Sequence, residues 1–384
     1  MFDFDREIQR RGTSCVKWDS NFIADDVKPM WVADMDFQAA PAIVKNLEKI
    51  VSRGVFGYQI LSEEYYKAII NWFLKRHQFV IEKEDISYIP NVVMGLSFAV
   101  QAISEPGDEI IIQTPVYGPF FRVVEDNGRV LKENPMKNDH GYYTMDLEDF
   151  ENKITEKTKA VILCNPHNPA GRVWKKEELK KLADLCVKHH LYILSDDIHS
   201  EIVFKGHEHT FIAQLSKEIA DRTITFTSPS KAFNLASIHV ANAVIKNKKI
   251  RQKYFEIVEK AHASNTNAFA EAALTGAYNG SGQWLDEVVE YLEENAAFFV
   301  NYIQSEIPQL SVIKPEGTYL AWVDFKDVKI ENVHDFLAEK CKVEVNDGLF
   351  FGKEGKTYVR FNLACPRKTI VPVLEKIKEE VQKL

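Results

Sequence analysis

The sequence predicts an α/β protein in which a large, mostly parallel sheet is flanked by helices and a smaller α+β part lies beside it. From Ile86 onward, short apolar runs alternate with amphipathic stretches, which is typical of a parallel sheet covered by helices. After Gly280, a long helical pattern leads into an irregular region flanked by Pro308 and Pro315. This change of pattern predicts a second structural unit.

The predicted strands are short runs of apolar and β-branched residues. Six belong to the large sheet, at residues 109–112, 130–132, 160–164, 192–194, 223–226 and 241–245. Two more are predicted in the smaller part, at residues 319–323 and 357–362.

Helices are predicted where apolar residues recur at helical spacing. One begins after Ala40, because Pro41 suits a first turn, and it ends at Gly54. Ser62 is the expected cap of the next helix. Further helical patterns cover residues 179–186 and 285–299, and a last helix is expected from about residue 371.

These elements divide the chain into three regions. Residues 1–40 show little periodicity and are expected to form an extended arm, in which the apolar and acidic segment Trp31–Phe37 stands out. Residues 41–280 are the predicted large domain. Residues 281–384 are the predicted small domain, which the arm joins.

Composition and charge exclude several classes of protein. With 45% hydrophobic and 27% charged residues, the 384-residue chain lies in the ordinary soluble range, and no apolar run approaches the roughly 18 residues of a membrane span. The net charge of -8 argues against nucleic-acid binding. The acidic opening Met1–Arg6 is unlike a secretory signal, so a cytoplasmic location is expected. Five scattered cysteines indicate neither a disulfide framework nor a zinc site.

Polar residues follow three of the predicted strands. Asn168 lies in the loop after residues 160–164, Asp196 follows residues 192–194, and Lys231 follows residues 223–226. Ligands of open α/β sheets bind outside the carboxyl ends of the strands. The sequence therefore predicts a site to which an amide, a carboxylate and an amine contribute.

Lys231 stands in the stretch Ser228-Pro229-Ser230-Lys231. Hydroxyls and loop backbone can bind an anion such as phosphate, and a lysine with a lowered pKa is a nucleophile towards a carbonyl. Taken alone, the stretch fits an exposed surface turn better. Together with Asn168 and Asp196, however, it matches what a pyridine aldehyde cofactor requires.

In motif order and spacing, these residues resemble the fold type I pyridoxal 5′-phosphate enzymes, the aspartate aminotransferase superfamily, from about residue 30 to the C-terminus. The resemblance implies a seven-stranded sheet in the large domain. It also implies pyridoxal 5′-phosphate as cofactor, a small amino-acid substrate, and a homodimer with shared active sites.

The resemblance further implies a role for each matching residue. Lys231 corresponds to the Schiff-base lysine, Asp196 to the partner of the ring nitrogen, Asn168 to the donor to the ring oxygen, and Tyr117 to the aromatic residue stacked on the ring. Arg360 matches the arginine that binds the substrate α-carboxylate. Asn168 and Ala33 are the other expected substrate residues.

The phosphate ligands implied by the resemblance come from three parts of the chain. Backbone N–H groups are expected around Met94 and Gly95, where a helix is predicted to begin. Hydroxyls are expected from Ser228 and Ser230, and Tyr58 is expected to reach the phosphate of the neighbouring subunit.

Two departures from the usual aminotransferase residues indicate a narrower group within the superfamily. His199 stands where most aminotransferases carry a tyrosine, and His239 occupies the region of their phosphate-binding arginine. With the segments Trp31–Phe37 and Asn362–Arg367, these features resemble the MalY/PatB group of cystathionine and cysteine-S-conjugate β-lyases. His199 is accordingly counted among the cofactor residues, and Ser228 gains weight as a phosphate ligand.

The resemblance implies a carbon–sulfur β-lyase that converts cystathionine or another cysteine S-conjugate to a thiol, pyruvate and ammonia. Two alternatives stay open: an aminotransferase, and a cofactor-bearing regulatory protein that binds a partner. No metal is expected, because His199, His207 and His209 lack the spacing of a three-ligand site, and the last two are predicted to be surface residues.

Overall fold

Two sheets and their covering helices account for most of the chain; the structure is a computed structural model that describes residues 2–384. The strands are β1 (Lys28–Pro29), β2 (Ile86–Ile89), β3 (Glu109–Ile112), β4 (Val130–Glu133), β5 (Lys137–Asp139), β6 (Tyr142–Thr144), β7 (Thr158–Cys164), β8 (Tyr192–Asp196), β9 (Thr223–Thr227), β10 (Ala241–Ile245), β11 (Ser311–Val312), β12 (Leu320–Asp324), β13 (Val343–Glu344), β14 (Asn346–Asp347) and β15 (Tyr358–Asn362).

The larger sheet has seven strands in the order β2-β10-β9-β8-β7-β3-β4. Every pair from β9 to β4 is parallel, whereas β10 runs antiparallel to both of its neighbours. Its central strands are apolar on both faces, and Ile110, Ile111 and Ile112 of β3 have no exposed surface. The predicted fold class, a mostly parallel seven-stranded sheet flanked by helices, is confirmed.

The helices are α1 (Val16–Asp19), α2 (Pro41–Arg53), α3 (Glu63–His77), α4 (Val92–Ile103), α5 (Pro119–Glu125), α6 (Leu147–Asn152), α7 (Lys176–Lys188), α8 (Lys217–Ala220), α9 (Lys248–Lys260), α10 (Ala268–Gly280), α11 (Gly282–Glu306), α12 (Val333–Glu339) and α13 (Arg367–Val381). The expected signals at the ends of α2 and α3 are present. Gly54 adopts the left-handed conformation after α2, and the Ser62 side chain accepts the Tyr65 N–H at the start of α3.

A four-stranded antiparallel sheet, in the order β11-β12-β15-β14, is built from the C-terminal part of the chain. Strand β1 of the N-terminal region pairs with strand β13 of this C-terminal part. Through this pairing the N-terminal arm joins the C-terminal part of the chain. The last helix begins at Arg367 rather than near residue 371, because Pro366 ends the extended chain at the helix N-cap. The division of the chain at residue 280 stays a prediction.

The N-terminal arm is less extended than its sequence indicated. Residues Val16–Asp19 form the short helix α1. The carboxylate of Asp19 accepts the backbone N–H groups of Gly12, Thr13 and Cys15, which folds this segment into a compact loop. A single short helical turn has no apolar periodicity that could have predicted it.

The strand order places the predicted site residues together. Strands β7, β8 and β9 are adjacent and parallel, so their carboxyl ends meet at one edge of the sheet. Asn168, Asp196 and Lys231 follow or end these three strands. In the described part of the chain, no helix has the length and apolar character needed to cross a membrane.

Candidate active site

Lys231 lies four residues beyond the end of β9, with its amine directed at the N-terminal arm. Its Nζ donates a hydrogen bond to the carbonyl oxygen of Ala33, 2.8 Å away. Loss of solvent around the amine and the nearby Arg360 guanidinium lower the pKa of Lys231 to about 8, although Asp34 and Asp196 act in the opposite direction. A substantial share of the amine is therefore neutral near pH 8.

Asp196 is the last residue of β8 and is buried. One oxygen of its carboxylate accepts the Ile198 N–H at 3.1 Å. Burial raises the pKa of Asp196 to about 7, against the opposing effect of that N–H group. Among residues 2–384, no basic side chain forms an ion pair with Asp196, so a protonated ring nitrogen would supply the cation that this carboxylate lacks.

Asp197 points to the opposite face of the sheet, as the alternation of side chains along a strand requires. Its Oδ1 lies 3.2 Å from Asn165 Nδ2 and 3.1 Å from His209 Nε2. His209 is therefore buried, and its predicted surface position is wrong, because the loop that carries it folds back under β8. His207 is exposed as predicted.

Arg360, in the middle of β15, is buried and connects the two sheets. Its Nη1 donates to Asn168 Oδ1 at 3.0 Å, and its Nη2 donates to the Trp31 carbonyl oxygen at 2.8 Å and to Asn346 Oδ1. Its Nε is buried without an acceptor. A buried guanidinium with a free N–H is suited to a carboxylate, which accepts two parallel hydrogen bonds.

The bond from Arg360 also orients Asn168. Because Asn168 Oδ1 accepts from the guanidinium, the amide NH₂ is the group left to donate to a ligand. This is the donor that a ring oxygen would need. Tyr117, just before α5, is half-buried, and its ring lies edge-on to Phe120 and Phe350, with centroids 6.0 and 6.2 Å away.

His199 is buried three residues after Asp196, and its Nδ1 has no hydrogen-bond partner. Burial, with the cations Lys231 and Arg360, holds the pKa of His199 well below its usual range. The imidazole is therefore neutral and can either donate to a ligand oxygen or accept from it.

The helix expected to begin around Met94 and Gly95 begins earlier, and the role of these two residues as phosphate ligands stays a prediction. Helix α4 begins at Val92, after the cap Asn91. The Met94 N–H donates to the Asn91 side chain at 2.9 Å, and the Gly95 N–H donates to the Asn91 carbonyl at 3.1 Å. The groups without an intrahelical partner are the N–H groups of Val92 and Val93, at the first two helical positions.

The serines near Lys231 are already engaged with each other. Ser228 Oγ lies 2.6 Å from the Val240 carbonyl oxygen and 2.9 Å from Ser230 Oγ, and it accepts the Ser230 N–H at 3.0 Å. A phosphate at this position would bind to a loop whose hydroxyls are held in place by these bonds. His239, in the region where the arginine is missing, is exposed.

Tyr58 lies outside the site of its own chain. Its side chain is completely exposed, in a segment that also exposes Val55, Phe56 and Ile60. An exposed apolar segment of this kind is typical of an interaction surface.

Four residues around the arm were not predicted from the sequence to be site residues. Tyr319 Oη donates to the Ala33 carbonyl oxygen at 2.9 Å, so this oxygen has two donors. Asn346 binds Arg360, and Asn234 and Asn362 hydrogen-bond the backbone of segment Trp31–Phe37. Of these four residues, only Asn234 and Asn362 had a sequence feature that could have identified them, because each lies within three residues of Lys231 or Arg360.

Comparison with known proteins decides the family. A family model described as aminotransferase class I and II matches residues 13–377. The chain belongs to this family.

Three relatives of this aminotransferase-family protein are similar over nearly all of its length. Cystathionine beta-lyase PatB of Bacillus subtilis (strain 168) is 38% identical, over 98% of this chain and 99% of PatB. A pyridoxal 5′-phosphate-bound protein from Clostridium difficile 630, provisionally described as an aminotransferase, is 40% identical with a TM-score of 0.97 over 99% and 100% of the two chains. The pyridoxal 5′-phosphate-bound C-S lyase of Staphylococcus hominis is 31% identical with a TM-score of 0.93 over 99% and 98%.

The residues at the edge of the sheet fit pyridoxal 5′-phosphate. The cofactor has an aldehyde for the Lys231 amine, a ring nitrogen for Asp196 and a ring oxygen for the free amide of Asn168. Its phosphate fits the N–H groups at the start of α4. In the described chain, the Asp196 carboxylate forms no ion pair and the Asn168 NH₂ donates no hydrogen bond, so both groups are available to the cofactor.

Proposed function

We propose that this protein is a pyridoxal 5′-phosphate-dependent carbon–sulfur β-lyase that cleaves L-cystathionine or another cysteine S-conjugate to a thiol, pyruvate and ammonia. The relatives named as cystathionine β-lyase and C-S lyase support this class of reaction. The amino-acid substrate follows from the family and from the free N–H of Arg360.

One observation carries the proposal. A partly neutral lysine amine, a buried carboxyl without a cation and a buried guanidinium with a free N–H lie in one site. Each of these groups would be unfavourable in a protein interior without a partner. Their combination therefore indicates that bound ligands supply the missing partners of the site.

When bound, the cofactor supplies a carbonyl that joins an amine and a ring that takes up negative charge. The chain supplies the remaining functions. Arg360 binds the α-carboxylate of the substrate and so orients its Cα–H bond, and Asp196 keeps the ring nitrogen protonated. Lys231, with its lowered pKa, accepts the proton from Cα as a general base.

A β-lyase needs a leaving group on the β-carbon, and a thiolate is the group that a cysteine S-conjugate provides. For cystathionine, the overall reaction consumes one water and releases homocysteine, pyruvate and ammonia. His199 is neutral and cannot supply positive charge to the departing sulfur, whereas a protonated Lys231 can return its proton there.

The proposal is tested with cystathionine as the only substrate. We expect the purified holoenzyme to form pyruvate and homocysteine in equal amounts without an added keto acid. A Lys231→Ala variant should lose both this turnover and the visible absorbance of the lysine-linked cofactor. Turnover retained in that variant would contradict the role of Lys231.

An aminotransferase is the second candidate, and the description of the C. difficile structure favours it. It shares the removal of the Cα proton but requires a keto acid to complete its cycle. Activity that appears only after a keto acid is added would replace the lyase proposal. Cofactor binding without either activity would point to a regulatory binding role.

We also propose a cytoplasmic homodimer with shared sites. The exposed Tyr58 and its apolar neighbours support a second copy as the partner, since this phenol has no task in its own chain. Tyr58 would then bind the cofactor phosphate in the neighbouring subunit. The five free cysteines are compatible with a reducing compartment.

A further inference from the structure

Segment Trp31–Phe37 contributes backbone atoms, rather than side chains, to the proposed active site. The Ala33 carbonyl accepts from Lys231 Nζ, and the Trp31 carbonyl accepts from Arg360 Nη2. The two central cations of the site are thus both held by one segment of seven residues. Any displacement of this segment would move both cations at once.

The segment carries two carboxylates, Asp34 and Asp36, which are bound by a second pair of cations in a partly buried cluster. Arg10 Nη1 lies 3.0 Å from Asp34 Oδ1, 2.6 Å from Asp36 Oδ1 and 3.1 Å from the Met35 carbonyl oxygen. Arg10 Nη2 lies 2.6 Å from Asp34 Oδ2. One guanidinium therefore clamps three consecutive residues of the segment.

Lys17 supplies the second cation of the cluster. Its Nζ lies 2.7 Å from Asp36 Oδ2 and 3.5 Å from Asp34 Oδ1, and only 1% of its side chain is exposed. Lys17 is placed there by the loop that Asp19 folds and by the bond from Trp31 Nε1 to its carbonyl oxygen, 3.1 Å. A fully buried lysine is unusual unless its charge is paired, as it is here.

The cluster contains two carboxylates and two cations, so its formal charges cancel. Geometry, rather than net charge, is then what it can impart to the site. We propose that Arg10 and Lys17 are positioning residues, which act through Asp34 and Asp36 to hold segment Trp31–Phe37 where its carbonyls orient Lys231 and Arg360. The proposal rests on the proposed function only for the roles of those last two residues.

Two substitutions of opposite charge test the proposal: Arg10→Gln and Asp36→Asn. The chain also offers a matched control cluster, in which Asp85 is held by Lys246 and Arg251 at the opposite edge of the larger sheet. Arg251 and Arg10 are both 19% exposed, and Asp85 and Asp36 are 6% and 7% exposed. The controls are therefore Arg251→Gln and Asp85→Asn.

The first measurement is amide hydrogen exchange of the holoenzyme, which does not depend on turnover. Both test variants should accelerate exchange in residues 31–37 by about 10-fold or more, because local opening of the segment becomes more favourable. Both should also lower kcat for cystathionine several-fold. The two controls should leave exchange in 31–37 and kcat at the wild-type values.

Three results would overturn the proposal. The first is wild-type exchange in residues 31–37 in Arg10→Gln. The second is equal acceleration there in the control variants, which would mean a general loss of stability. The third combines two observations: exchange is unchanged, and the pH midpoint of kcat shifts in opposite directions in Arg10→Gln and Asp36→Asn. This result would mean that the cluster affects the site only through its charge. If Asp36→Asn does not fold, Arg10→Gln and its control decide.

Failure of the proposed function gives a different result. A holoenzyme that forms no pyruvate from cystathionine would refute the lyase, whereas the exchange of residues 31–37 would still report whether Arg10 and Asp36 hold the segment.

Discussion

Lys231, Asp196 and Arg360 each have a pKa displaced by burial, to about 8, 7 and 10 respectively. These shifts have one physical cause, since each charged form loses water without gaining a full ion pair. At the scale of single residues, the site therefore favours ligands that supply the opposite charges these three groups lack.

Arg360→Lys is expected to lower kcat/KM for cystathionine by about 100-fold, because an ammonium cannot replace the planar fork that also holds Asn168 and Asn346. Most of the loss should appear in KM. Steady-state kinetics measure it, and an unchanged cofactor absorbance is the control. A variant with wild-type KM would remove the carboxylate role from Arg360.

Lys231→Met is expected to stabilise the cofactor-free protein by about 1–3 kcal/mol at pH 7. The pKa of Lys231 is about 8 in the folded chain, whereas the ordinary pKa of a lysine is 10.5. Protonating it is thus costly in the folded state at all pH values below about 8, and this cost fades as the pH rises from 8 to 10.5. Urea unfolding at several pH values measures the difference, and a difference independent of pH would contradict this account.

At the scale of elements, helix α4 lies very close to the sheet. Gly95 allows this approach. A methyl group there would lie 2.9 Å from Cε1 of the buried Phe226 and would also collide with Ile89. Gly95, which is predicted from the sequence to be a phosphate residue, thus also has a packing role.

Gly95→Ala is expected to destabilise the protein by about 1–3 kcal/mol and to weaken cofactor binding, because α4 must move outward together with Val92 and Val93. Gly282→Ala, at the start of helix α11, is the matched control, since the nearest atom to its added carbon, Trp72 Cζ3, lies 3.9 Å away, and it should change stability by less than about 0.5 kcal/mol. Urea unfolding and cofactor titration measure both effects. Equal stabilities of the two variants would refute the close-approach argument.

At the scale of the whole molecule, every proposed site residue except Tyr58 belongs to the site of its own chain. Tyr58 is completely exposed, and we propose that it binds the phosphate of a second copy of the chain. The proposed homodimer therefore has two sites, each completed by its partner.

Subunit complementation is expected to restore activity when inactive Lys231→Ala and impaired Tyr58→Ala chains are co-expressed. Each hybrid dimer has one site with both Lys231 and Tyr58, so random pairing should give about one quarter of the wild-type activity. Activity of the co-expressed mixture measures it, and hybrids purified through two different tags should reach about one half of the wild-type activity. No gain over the separate variants would show that Tyr58 does not act across subunits.

Much of this protein could be predicted from the sequence, because the features concerned are local. Apolar runs and helical spacing are set by neighbouring residues, and they were enough to predict six of the seven strands of the large sheet. The predicted end of β7 is the observed one, whereas β8 and β9 extend two and one residues further than predicted. Since parallel strands end at one edge, the proximity of Asn168, Asp196 and Lys231 followed from that pattern.

Only the tertiary structure decided which backbone and buried charges surround these residues. Lys231 meets the Ala33 carbonyl across 198 residues of sequence, and Arg10 meets Asp34 in a segment without periodicity. Likewise, the start of α4 moved to Val92 because the Asn91 side chain forms the cap, and His209 became buried because its loop folds under β8. Such contacts depend on how distant segments pack, and no local pattern specifies them.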